Sequence, residues 1–100
     1  MNIIATKHAE QRAKERAGLP AKSVKRIALK ALNNGIEDIH LKGEISGWVF
    51  NKLNNHSESR KFFLYGDKAW VFSPEDDNYI LVTLLQLPSG LVRKVKNISA

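Results

Sequence analysis

The chain has 100 residues, no cysteine, 43% hydrophobic residues and a formal net charge of +6. That length suits one domain, over residues 1–100, with a modest core, and the composition is that of a folded chain rather than a disordered one. The lack of cysteine excludes disulfides, zinc–thiolate centres and thiol catalysis. No apolar run approaches the roughly 20 residues of a membrane span, and Met1–Ile4 lacks the charged-then-apolar order of a secretory leader, so no membrane partner and a cytoplasmic location are expected.

The charge is uneven. Residues 1–34 carry eight Lys or Arg and two Glu, a net of +6, whereas residues 35–100 carry eight basic and eight acidic groups and balance. A basic field confined to one part of a small domain favours a polyanion, with RNA or single-stranded nucleic acid first. A charge of this size also serves simple solubility.

Ile3 and Ile4 form either a short edge strand or a hydrophobic lid on the first helix. Thr6 to Gly18 reads as that helix: Ala, Lys, Glu, Gln and Arg are strong helix formers, Thr6 can cap its start, and Gly18 can take the left-handed conformation that ends it. Ala9 stands where a capping box would need Glu or Gln. Ala9, Ala13 and Ala17 recur every fourth residue and make a stripe for close packing. His8, Arg12 and Arg16 recur at the same interval, about 100° round the helix. One imidazole followed by two guanidiniums suits a phosphate-bearing partner, with Arg12 and Arg16 as phosphate binders and His8 as the titratable group. The alternative is a solvated charged face in which Glu15 pairs with either arginine.

A second helix is predicted over about 20–34. Val24, Ile27, Ala28, Ala31 and Leu32 make one apolar face, Lys22, Lys25, Arg26 and Lys30 fall outside it, and Asn33-Asn34-Gly35 stops it. Residues 36–59 are less readable. Trp48 to Leu53 fits a strand or a helical turn, Trp48 suits the core or a base-stacking platform, and His40 and His56 read as loop or strand-edge residues. Residues 60–65 and 68–73 form a hairpin across Gly66-Asp67, with Trp70 and Phe72 in the core. Ser73 to Asn78 reads as a polar turn. Tyr79 to Leu87 suits a central strand covered on both faces, and the tail from Leu91 has no assigned structure. The fold class expected is α+β, with two N-terminal helices on an antiparallel sheet of about three to four strands.

No metal cluster, Gly-rich phosphate loop or Ser or Cys nucleophile motif is visible, so no cofactor and no metal are expected. Thr83 stands inside the most apolar strand, either as a β-former with its hydroxyl on backbone or as a hydroxyl aimed at a phosphate. His, Arg and Thr suit metal-free RNA cleavage, in which a base takes the 2′ proton and cations hold the phosphate's growing charge.

The stretch Thr6 to Pro20 resembles the "HA-x-x-R-x-x-x-R-x-G" opening of small phage and bacterial proteins. Val82-Thr83-Leu84 and Gly66 to Phe72 are similar to their closing strands. In layout the chain resembles the barnase/EndoU/colicin/RelE-like superfamily of metal-free ribonucleases and toxins. That resemblance implies a toxin-like endoribonuclease with His8 and Thr83 as catalytic residues and Arg12 and Arg16 on the phosphate; Lys61 is an additional candidate beside that set. It also implies a host or antitoxin protein as partner and the host cell's cytoplasm as location if the gene is a phage's. The rival expectation is a non-catalytic module of the same fold that binds nucleic acid or blocks a host protein.

Overall fold

The computed structural model describes residues 2–37, 43–53 and 60–99. In chain order these form β1 (Asn2–Ala5), α1 (Lys7–Ala17), α2 (Ala21–Asn34), β2 (Ile36–Glu37), α3 (Gly43–Leu53), β3 (Lys61–Tyr65), β4 (Lys68–Glu75), β5 (Asn78–Gln86) and α4 (Ser89–Ser99). The class is α+β, as expected. The sheet is larger and mixed: five strands in the order β1-β5-β4-β3-β2, with β1 parallel to β5 and every other pair antiparallel. Two helices beyond the expected pair, α3 and α4, complete the described elements.

The strands alternate, and the alternation divides the core in two. Phe63, Trp70, Phe72, Leu81 and Leu84 join Ala9 and Ala13 of α1 and Val24, Ala28 and Ala31 of α2. Phe62, Leu64, Ala69 and Val71 join Ile45 and Val49 of α3 and Leu91 and Val95 of α4. The sheet is therefore the middle of three layers, which is why runs such as Phe62-Phe63-Leu64 and Ala69 to Phe72 are apolar on both faces. Helix α4 was left without assigned structure, although Leu91, Val92, Val95 and Ile98 recur at helical spacing in the sequence; the preceding Pro88-Ser89-Gly90 stretch reads as a stop and masks the start. The polar turn expected over 73–78 contracts to Asp76 and Asp77. Ser73, Pro74 and Glu75 stay paired to β5, and proline is tolerated because β3 ends opposite Phe72 and leaves β4 one neighbour there.

The start of α1 is built as the sequence predicts. The Thr6 hydroxyl accepts the Ala9 N–H at 3.0 Å, and Gly18 closes the helix at φ 65°. Gly35 ends α2 for a different reason. Its φ is an ordinary −78°, but a Cβ there would run into the carbonyl oxygens of Ala31 and Leu64. The residues expected as loops around His40 and His56 lie outside the described segments.

Candidate nucleic-acid interface

Strand β5 carries an irregularity that decides the geometry of the expected site. Val71 lies opposite Thr83 but Phe72 lies opposite Leu81, so Val82 is an extra residue in β5, the arrangement of a β-bulge. A regular strand would put Leu81 and Thr83 on one face. The bulge separates them: Leu81 stays under α1 and α2 with Phe72, and Thr83 shares the α3–α4 face with its neighbour Val71. Thr83 is also buried, at 5% exposure.

His8 stands exposed on the first turn of α1, on the other side of the sheet. Helix α1, which carries His8, thus packs on the sheet face opposite to the one that Thr83 shares with Val71.

The two arginines of the same stripe are occupied. The Arg12 guanidinium is 3.0 Å from the Glu15 carboxylate, and Gln11 donates to that carboxylate at 2.9 Å. These contacts, Gln11 first and then Arg12, hold the Glu15 carboxyl below its ordinary range. Arg16 donates to the backbone carbonyl of Leu84 at 2.7 Å.

The reason lies in the register. Strand β1 pairs with β5 only as far as Leu81, so the rest of β5 has no strand on that side. Thr6 and Arg16 serve the carbonyls there. The Thr6 N–H donates to Leu81, its hydroxyl lies 3.3 Å from the carbonyls of Leu81 and of the bulged Val82, and Arg16 reaches Leu84. The stripe read as a phosphate clamp is in part a seam that closes a sheet edge. Lys61, the additional candidate, sits on β3 with its ammonium 3.9 Å from the Glu37 carboxylate.

The densest group of exposed, unpaired cations among the described residues lies on α2. Lys22, Lys25, Arg26, Leu29 and Lys30 are all exposed, and their spacing of three and four residues places them on one outward face. The helix contains no Asp or Glu, and none of its cations is in an ion pair among the described residues. Lys7 and Lys14 of α1 are likewise exposed and free of ion pairs there. The sequence placed the α2 cations off the apolar face. What sets them apart is the complete lack of acids on that helix, whereas on α1 Glu15 engages Arg12.

Trp48 is half-buried beside the α3–α4 core, with the Lys52 ammonium 5.7 Å from its ring centroid, so it is not an open stacking platform. A cavity of about 860 Å³ lies by the β3–β4 turn and the start of α4. Its Asp67 is bound to Lys68 at 2.9 Å, and its walls hold none of the expected site residues. No group of His, Cys, Asp or Glu among the described residues could hold a metal, and no described helix is long and apolar enough to cross a membrane.

No known protein family, curated protein or solved structure matches the chain.

Proposed function

We propose that this chain is a nucleic-acid-binding module that holds RNA, or another single strand, by its phosphates along the outer face of α2. The observation that carries the reading is the line of Lys22, Lys25, Arg26 and Lys30 on a helix without acids. Each unpaired cation is free to displace a counterion from a phosphate. The resemblance read from the sequence to metal-free ribonucleases makes RNA the first polyanion to try. Cleavage by the pair of His8 and Thr83 is not part of the proposal, because the two lie on opposite faces of the sheet.

The test is fluorescence anisotropy with a labelled single-stranded RNA of about 12 nucleotides at several salt concentrations. If the four α2 cations each meet a phosphate, log K falls against log salt with a slope of about −0.7 × 4, or about −3. Affinity then drops roughly 50-fold between 50 and 200 mM salt. Replacing Lys22, Lys25, Arg26 and Lys30 together by Gln should abolish binding with the melting temperature kept. Affinity indifferent to salt, or unchanged in that variant, overturns the reading.

A further inference from the structure

Strand β1 is an edge of the sheet, and its outer side is not covered by another strand. The N–H groups of Asn2 and Thr6 donate to the carbonyls of Asp77 and Leu81. In a parallel ladder alternate residues bond to a given neighbour, so Ile3 and Ala5 turn their N–H and C=O groups away from β5. Natural sheets blunt such edges because a row of free backbone groups invites a further strand. Here the edge is left with apolar side chains: Ile4 is 44% exposed on one face, and on the other Leu29 of α2 is 42% exposed. Between β1 and α2 runs a groove of about 350 Å³, lined by Asn2, Ile3, Lys25, Arg26 and Leu29.

We propose that this groove accepts an extended acidic segment of a partner protein, which adds to β1 as a sixth strand. Backbone groups of Ile3 and Ala5 supply the ladder, and the walls supply the selection. Side chains of the added strand alternate between the faces. Those on the α2 side meet the Lys25 ammonium and the Arg26 guanidinium, which favour carboxylates. Those on the opposite side lie beside Ile4, which favours an apolar residue. The segment recognised therefore alternates acidic and apolar residues. A second copy of this chain is the wrong occupant, because pairing β1 with itself would bring two sets of Lys25 and Arg26 towards one another. Lys25 and Arg26 also belong to the cationic face proposed for RNA, so the acidic strand and RNA exclude each other at this groove. The strand reading does not depend on RNA binding and is tested without it.

The experiment is titration of the full chain with a blocked peptide of four Glu-Val repeats, followed by amide chemical shifts and by calorimetry. Saturable binding with shifts centred on residues 2–6 and 25–29 is expected. Placing an N-methyl group on every second residue, in each of the two phases, should abolish binding in one phase and spare it in the other, since only one edge of the peptide forms the ladder. Lys25→Glu combined with Arg26→Glu should weaken binding about tenfold, the yield of two partly exposed ion pairs. Ala5→Pro, which removes an outward N–H, should weaken it as well, and the peptide series decides the matter if that variant fails to fold. Equal binding of both methylated phases, or of a peptide with the same residues in blocks, means charge attraction only and overturns the proposal. So does a groove that is shifted by single-stranded RNA and not by the peptide, or concentration-dependent dimers whose β1 amides shift without peptide.

Discussion

Arg16 separates a structural cation from a nucleic-acid-binding one. Replacing it by Met keeps the long apolar stem and removes the guanidinium, leaving the Leu84 carbonyl beyond the end of β1 without its donor at 2.7 Å. A hydrogen bond from a charged group is worth about 1.5–3 kcal/mol net. The contact is only partly buried, so water recovers a share of it, and about 1–2 kcal/mol is the expected loss. For a domain of this length that lowers Tm by roughly 5–15 °C. Arg16→Lys should restore most of the loss, since one ammonium can serve one carbonyl. Arg12→Met should cost only a few tenths of a kcal/mol, because the Arg12–Glu15 pair is exposed at both ends. Thermal melts followed by circular dichroism read the three variants side by side, with RNA anisotropy measured on the same samples. If Arg16→Met melts with the wild type but loses RNA binding, the guanidinium serves a phosphate and not the sheet edge, and the seam reasoning fails.

Three further substitutions test the construction around that seam. Thr6→Val keeps the side-chain shape and removes the hydroxyl that meets the Ala9 N–H and lies near the Leu81 and Val82 carbonyls; urea denaturation should report a loss of about 1–2 kcal/mol. Gly35→Ala should cost about 1–3 kcal/mol, because its Cβ meets backbone oxygens on two sides; Gly18→Ala, in open space but at φ 65°, should cost only about 1 kcal/mol by melting comparison. Asp67 is held below its ordinary 3.8, chiefly by the hydrogen bond with Lys68. Its unfolded form takes a proton first as pH falls, so the stability it contributes is present above about pH 4 and is lost as pH drops through the lowered folded value. Asp67→Asn strands the Lys68 ammonium, whose side chain is 9% exposed. It should therefore cost about 1–2 kcal/mol at pH 7, between the values for exposed and buried pairs, and the gap from wild type should close in acid.

Local chemistry was legible in the sequence, and the exceptions have physical causes. Thr6, Gly18 and the alanine stripe act within one helix, where spacing decides orientation. The β3–β4 hairpin, the apolar β5 and the core positions of Trp70 and Phe72 followed equally from local pattern. The edge strand at Ile3 and Ile4 was one of two readings; that it lies parallel to β5, with Ile3 opposite Tyr79, is set by tertiary packing. Thr83 was left between a β-former bonded to backbone and a hydroxyl aimed at a phosphate, and its face was not legible because alternation assumes a regular strand. One extra residue, Val82, turns every later side chain of β5 to the other face. No residue type in Leu-Val-Thr-Leu marks that bulge; it becomes visible only through the pairing of β4 and β5.

The bulge also explains how the roles of the two N-terminal helices diverge. By sequence, α1 carries the more suggestive pattern, a histidine and two arginines in line. In the fold that line runs beside the stretch of β5 that β1 leaves unpaired, where free carbonyls make a stronger local demand than solvent does. Thr6 meets that demand at the bulge and Arg16 meets it at Leu84, while Glu15 holds Arg12. Helix α2 carries no acid to neutralise its lysines and closes none of the sheet's open carbonyls among the described contacts. Among the described residues the exposed cations outside any ion pair include those of α2 together with Lys7 and Lys14 of α1. The open edge of β1 and the acid-free outer face of α2 meet on one side of the sheet, and that side is where both proposals put recognition, rather than at the helix whose spacing first suggests it.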